Sequence, residues 1–291
     1  MNNLIAQYLS AYAVKVNRAT AARAGDRLRA LARRLAKGGL AEGNAITREH
    51  LLAWRLQFVR RGLKPYTVQG YVSTVRGFLF WLYREGYLLV NPYPKEWDEN
   101  RARPSIRRAP SEGKTRAMLE RISEKSLCPL RDRAILELAY SSGLRRGELH
   151  ALSLRDLRGD WLTVRGKGGS ERVVPLGATA KAWLVRYLAT ERTRKAKRFN
   201  PHEDALFLSW QGKRLGLQSY SYLVSRHRDP KSDITLHGFR HACATHMLAR
   251  GASVVVLQKL LGHRKLSTTQ IYAQVETESL KRVLDKCHPR G

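Results

Sequence analysis

Between Thr235 and Tyr272 the chain gathers side chains able to act on a phosphate. His237 and Arg240 lie in Leu236-His237-Gly238-Phe239-Arg240-His241, His263 closes Leu261-Gly262-His263, and Tyr272 follows Ile271. An arginine can hold phosphate oxygens, two imidazoles can donate to or accept from the same group, and a phenol can attack phosphorus. Phosphoryl transfer leaves a protein mainly positioning and charge stabilisation to perform, which is what several cationic donors around one phosphate supply. Zinc is the competing use of four nearby imidazoles, His237, His241, His246 and His263. Gly238 stands where His-Glu-x-x-His requires its Glu, and no thiolate pair is near. The expectation is therefore no metal and no cofactor, with His241 and His246 as packing or hydrogen-bonding residues.

Composition points to the same partner. The 291 residues carry 54 Lys+Arg against 24 Asp+Glu, a net charge of +30. Up to residue 110 there are 20 basic and 7 acidic residues, and beyond it 34 and 17, so neither half is a basic tail on a neutral enzyme. An excess this large repels itself until a phosphate-rich partner relieves it; nucleic acid leads, with an anionic membrane surface behind. No apolar run approaches the roughly 18 residues of a membrane span, and the N-terminus has no signal-peptide core. Cys128, Cys243 and Cys287 are odd in number and far apart, which suits a reducing cytoplasm and neither a disulfide framework nor a Cys-x-x-Cys site.

The ordered motifs resemble those of the tyrosine recombinase (phage integrase) family: His-x-x-Arg-His, then Leu-Gly-His, then a nucleophilic Tyr nine residues on, here Tyr272. Gly143-Leu144-Arg145-Arg146-Gly147-Glu148-Leu149 is similar to the family's first motif. Gly166-Lys167-Gly168 matches its hairpin lysine. The resemblance implies six catalytic residues: Arg145, Lys167, His237, Arg240, His263 and the nucleophile Tyr272. It implies a 3′-phosphotyrosyl intermediate and strand exchange through a Holliday junction, without ATP or divalent metal. Glu148 matches a Glu that is usually structural and is left outside the site. Asp229-Pro230-Lys231-Ser232-Asp233 is shorter than in many relatives, and Leu236 sits where Pro is common.

The elements that must position these groups fall into two domains. Residues 1–97 read as four short helices: Asn3 to Val14, one with Leu28, Leu31 and Leu35 ending at Gly38-Gly39, one capped by Thr47 and carrying Leu51, Leu52, Phe58 and Val59, and one opening at Pro65 with Val68, Val72, Val75, Leu79 and Leu82 inward. This bundle resembles the family's core-binding domain. Lys64 and Arg76 are its candidate DNA-backbone contacts, the alternative being solvated surface charges. Residues 98–110, with two prolines and four arginines, read as a basic linker. Residues 111–291 form the catalytic domain. Its helices run near 111–122 and 132–140, and a helix after Gly143 aims backbone amides and Arg145 at an anion. Runs 161–165 and 172–176 flank a glycine-rich turn as a β-hairpin. Ala205–Leu208 reads as a short strand, a helix lies near 218–226, and a last helix near 275–286 either folds back on its own domain or docks into a neighbour. The fold class is thus mainly α with a small β-sheet: a helical bundle followed by an α+β catalytic domain.

The expected partners are double-stranded DNA bearing a specific recombination site, a homotetramer on two duplexes or a heterotetramer with a paralogue, and an activating protein, with no membrane. The expected location is the cytoplasm of a prokaryote, at the nucleoid. Type IB topoisomerase, a DNA-binding protein without catalysis, and a basic membrane-surface protein are the alternatives. A Xer-like size without an arm-binding domain favours a Xer-like resolvase over the lambda type of integrase, with dimer resolution and mobile-element or plasmid integration-excision both open.

Overall fold

Twenty residues from Pro65 to Arg84 form one helix because Pro sits at its first turn, where a missing N–H costs nothing, and valine and leucine recur at helical spacing. The computed structural model describes residues 1–291 apart from 41–44, 100–108, 123–125, 167–168, 231, 263–272 and 291, and apart from the side chains of 99 and 273–279. Contacts divide the chain into two units, Met1–Ile106 and Arg107–Gly291.

The first unit contains α1 (Asn2–Ala13), α2 (Arg18–Lys37), α3 (Arg48–Arg60), α4 (Pro65–Arg84) and a single turn, α5 (Glu96–Glu99). Val68, Val72, Val75, Leu79 and Leu82 of α4 are all buried, as their spacing predicts. They pack with Leu28, Leu31 and Leu35 of α2. The Thr47 hydroxyl accepts from the His50 amide and caps α3. On α3 the inward face differs from the expected one. Leu51, Trp54 and Phe58 are buried, while Leu52 is 41% and Val59 61% exposed. Trp54 fills the space with a larger ring that meets Phe58 edge-on at 4.9 Å, and this turns its neighbours outward. Trp97 is buried in the same core, and Asp98 accepts from Arg76 at 3.0 Å. Asp98, expected in the linker, is therefore part of the bundle.

The second unit contains α6 (Glu112–Glu120), α7 (Pro129–Ser141), α8 (Arg146–Ala151), strands β1 (Leu157–Arg158), β2 (Trp161–Arg165) and β3 (Glu171–Pro175), then α9 (Ala178–Tyr187), a π-helical turn (Leu188–Arg192), α10 (Thr193–Phe199), α11 (Leu217–His227), α12 (Leu236–Ala249), α13 (Val254–Leu261) and α14 (Ala273–Cys287). The strands form one antiparallel sheet in the order β1-β2-β3. In the hairpin Val164 pairs with Arg172 and Arg165 with Glu171. The Gly166 amide donates to Ser170 O at 2.7 Å across the turn. Leu162, Val164 and Val174 face a core shared with α7, α9 and α12.

Ala205–Leu208 is buried but is not a strand. Its backbone groups bond to scattered partners instead of one ladder: Leu206 N–H to Leu152 O, Phe207 O from Leu215 N–H, and Leu208 N–H to the Tyr187 hydroxyl. The last helix folds back on its own unit. Leu284 and Cys287 are buried, Lys281 Nζ donates to Leu176 O at 2.7 Å, and Arg290 pairs with the buried Glu137. Among the described residues no helix is long and apolar enough to cross a membrane.

Candidate active site

The loop after α7 turns at Gly143, where φ is +58° and a Cβ would lie 2.4 Å from Leu261 Cδ2. Only glycine fits both the left-handed backbone and the close approach of α13. The turn delivers Arg145 to the N-cap of α8. The N-cap amide itself is occupied. The Arg145 N–H is taken by Glu148 Oε2 at 2.9 Å.

Two guanidiniums bond to Glu148. Arg145 Nη1 donates to Oε1 at 2.8 Å, Arg172 Nη1 to Oε1 at 3.0 Å and Arg172 Nη2 to Oε2 at 2.9 Å. Arg240, 4% exposed, lies beside them and donates to Gly143 O at 2.7 Å and Leu261 O at 2.6 Å. The end of α13 binds the cluster a second time. Leu260 O accepts from Arg172 Nε at 3.1 Å, Leu261 O from Arg240, and Gly262 O from Arg145 Nη2 at 3.3 Å. Helix C-termini leave carbonyls without intrahelical partners and carry partial negative charge, so three cations at one such end satisfy both needs.

One carboxylate does not neutralise three guanidiniums. Burial, then repulsion from Arg145, lowers the Arg240 pKa to about 10 against the pull of Glu148, and the group remains charged at neutral pH. Burial by itself would raise the Glu148 pKa. The hydrogen bond from Arg172, the Arg145 amide and the guanidinium charges outweigh it and hold the carboxyl below its ordinary range. The site is an ionised cluster with surplus positive charge, and each guanidinium brings five donors in a planar fork suited to phosphate.

Thr235 Oγ1 accepts from the Gly238 amide and starts α12, placing His237 on its first exposed turn, three residues from Arg240 and on the same side. His237 meets His241 edge-on at 4.8 Å. His246 is elsewhere: its ring nitrogens meet the Tyr140 hydroxyl at 2.7 Å and Pro110 O at 2.9 Å. His241, expected to pack or hydrogen-bond, is exposed apart from that ring contact with His237. Among the described residues no three His, Cys, Asp or Glu side chains are grouped as metal ligands would be. Lys167, His263 and Tyr272 lie outside the described residues; Gly262, with φ of +66°, ends α13 directly before His263. In the first unit Lys64 is the exposed N-cap of α4, and Arg76 is paired with Asp98 and lies over the Tyr93 ring at 5.6 Å. Arg146 bonds to Ser221 Oγ at 2.9 Å on α11.

Sequence reasoning missed Arg172 and the part played by Glu148. A signal existed: strand alternation puts Arg172 on the same face as the fully buried Val174, and an arginine on a core-facing strand position requires an acid partner.

Residues 113–279 match the model of the phage integrase family. Tyrosine recombinase XerC of Thermodesulfovibrio yellowstonii is 38% identical over 239 residues, 79% of this chain and 78% of that protein. The chain belongs to the phage integrase family. It is a site-specific tyrosine recombinase, a DNA strand-transferring enzyme. Tyrosine recombinase XerD of Pseudomonas putida is 36% identical over 255 residues, 86% of this chain and 83% of that one. The integrase fold extends to more distant structures. A lambda integrase (75–356) dimer bound to a COC′ core site aligns with a TM-score of 0.71 at 18% identity, covering 93% of this chain and 99% of that one. The Tn1549 transposon integrase in complex with circular intermediate DNA gives 0.66 at 17%, covering 94% and 98%.

Proposed function

We propose that Arg145 and Arg240 of the arginine cluster hold the scissile phosphate of a recombination site and that Tyr272 is the nucleophile. The observation that carries this reading is that Arg145 and Arg172 share the single carboxylate of Glu148 while the buried Arg240 joins Arg145 at the end of α13, a cluster with surplus positive charge. Arg145 and Arg240 clamp the nonbridging oxygens. His263 donates to the same phosphate, and His237 receives the phenolic proton as Tyr272 Oη bonds to phosphorus. The P–O5′ bond breaks and Lys167 protonates the departing oxygen, leaving a 3′-phosphotyrosyl link and a free 5′-hydroxyl. Surrounding positive charge favours the phenolate of a group whose ordinary pKa is near 10. Rejoining reverses these steps with a new 5′-hydroxyl.

The substrate is double-stranded DNA carrying a specific site. The working assembly is four protomers on two duplexes, either identical or shared with a paralogue, exchanging strands through a Holliday junction. The likeness to XerC and XerD over most of the chain supports dimer or plasmid resolution, with an activating protein as a further partner and the bacterial nucleoid as the place of action. Lys64 and Arg76 contribute DNA-backbone contacts from the first unit.

The test is incubation with nicked suicide duplexes drawn from the host replicon. Wild-type protein is expected to give a protein–DNA adduct that survives denaturant, and Tyr272→Phe to give none while still binding. An undiminished adduct in Tyr272→Phe would refute the nucleophile; relaxation of supercoiled DNA without exchange between two marked sites would favour a topoisomerase.

A further inference from the structure

Lys167 belongs by sequence to the turn between β2 and β3, and near that turn two side chains fasten the hairpin to the rest of the unit. Arg165 reaches Asp156 at 2.9 Å. Arg172 reaches the arginine cluster: its two terminal nitrogens grip Glu148, its Nε donates to Leu260 O, and its side chain is only 16% exposed. It sits one pair behind Arg165↔Glu171, the last pair before the turn. The path is tight, since a Cβ on Gly262 would lie 3.1 Å from three atoms of the Arg172 side chain.

We propose that Arg172 is a positioning residue for the leaving-group step, fixing the hairpin against the arginine clamp so that Lys167 meets the departing 5′-oxygen. This rests on the roles given above to Lys167 and Tyr272. The clamp itself has separate supports. Arg145 is held by Glu148 within its own helical turn and by Gly262 O, and Arg240 by Gly143 O and Leu261 O. None of these bonds involves β3. Removing the Arg172 fork therefore unties the hairpin from the clamp, with Arg165–Asp156 still holding it at its other side, and leaves the bonds of Arg145 and Arg240 standing. Lysine at 172 keeps the charge but cannot make a bidentate grip and an Nε bond together.

A bridging 5′-sulfur separates the two functions. With oxygen, Tyr272 Oη bonds to phosphorus, P–O5′ breaks, and O5′ takes the Lys167 proton. With sulfur, P–S5′ breaks and a thiolate departs needing no proton. In single-turnover cleavage of matched suicide duplexes, Arg172→Lys is expected to be slowed about 10- to 100-fold on the oxygen substrate and to fall within about threefold of wild type on the sulfur one. DNA affinity stays unchanged, and the rates are compared below the melting temperature of the variant. Lys167→Ala shows the same rescue, and the double variant is no slower than Lys167→Ala alone. Arg145→Ala is slow on both substrates. Equal losses of Arg172→Lys on both substrates, additive losses in the double variant, or a wild-type rate on oxygen would each overturn the proposal. If Arg172→Lys does not fold, Arg172→Gln is read on the same substrates. An adduct persisting in Tyr272→Phe sinks the underlying reading; its loss there, without sulfur rescue of Arg172→Lys, sinks only the positioning role.

Discussion

The two units hold themselves together by different means. Among the described residues of the first, the buried side chains are apolar or aromatic, with Leu28, Leu51, Trp54, Phe78 and Leu82 almost wholly enclosed. Among its described residues the ion pairs Arg29–Asp26, Arg48–Glu96, Arg76–Asp98 and Arg84–Glu85 are exposed or half-exposed. The second unit encloses Asp132, Glu137, Glu148, Asp156, Glu191, Arg192 and Arg240 as well as its apolar core. Apolar burial is the cheaper route to stability, and a buried ion pair is often no better than a well-packed hydrophobic substitute. What buried charge adds is direction, because each group is fixed by distance and angle to named partners. A unit whose arginines are proposed to hold a phosphate has a use for that; an apolar bundle does not.

The comparison is broken most forcefully at Glu148. Glu148→Ala leaves three guanidiniums facing one another and should destabilise the second unit by about 3–5 kcal/mol while abolishing the covalent adduct. Leu79→Ala in the first unit removes a comparable share of stability, about 2–5 kcal/mol, through a cavity. At saturating DNA the adduct should still form in that variant. Melting curves with and without sulfate sharpen the contrast. An anion lodged among the arginines should restore more of the Glu148→Ala loss than of the Leu79→Ala loss. Equal recovery in both would mean that the surplus charge does not collect anions.

A smaller effect concerns acid. His288 is buried, with Nε2–H donating to Tyr140 O at 3.2 Å and Nδ1 accepting the Arg290 amide at 3.1 Å. That pattern needs a neutral ring, and burial lowers its pKa from 6.5 to about 3. The unfolded state then binds the proton more readily, so stability is complete above about pH 6.5 and falls as pH drops toward 3, by at most about 1.4 kcal/mol per pH unit. His246, lowered chiefly by burial, adds to the same slope. Denaturant unfolding of His288→Gln should be flatter between pH 6.5 and 4 than that of wild type. An unchanged slope would remove His288 from the account. The first unit, with no buried histidine among its described residues, should show little of this dependence.

How much of this could be read from the sequence follows the range of the interactions. The inward face of α4, the Thr47 cap and the β-hairpin depend on neighbours a few residues away, and they form as the spacing predicts, with the second strand at 171–175 one residue earlier than the expected 172–176. Arg145 and Arg240 emerged through motif order, and the structure brings both to the end of α13. Arg172 was not found because its partners stand 24 and 88 residues away, at Glu148 and Leu260. Strand alternation could reveal that it faces inward, not what it meets. Trp54 displaced Leu52 and Val59 for a similar reason: amphipathic spacing selects an arc of a helix, and the largest ring decides which side of that arc is enclosed. Ala205–Leu208 had strand-like residues but no continuous partner strand, a fact of tertiary arrangement.

The smallest expected effect lies in the apolar unit, at the point where it departs from its own rule. Trp54 is fully enclosed, and its Nε1–H has no hydrogen-bond partner among the described residues. Leaving such a donor unpaired costs about 1–3 kcal/mol, which Trp54→Phe would recover. The same change removes part of the ring from contact with Phe58 and Tyr71, and the resulting cavity costs a similar amount. The two terms oppose each other, so Trp54→Phe should shift stability by about 1 kcal/mol or less in either direction. Trp54→Ala, with the cavity term dominant, should lose about 3–5 kcal/mol. Chemical denaturation followed by circular dichroism compares the two. A loss in Trp54→Phe approaching that of Trp54→Ala would show that the indole N–H is satisfied, and that the bundle relies on a buried polar contact after all.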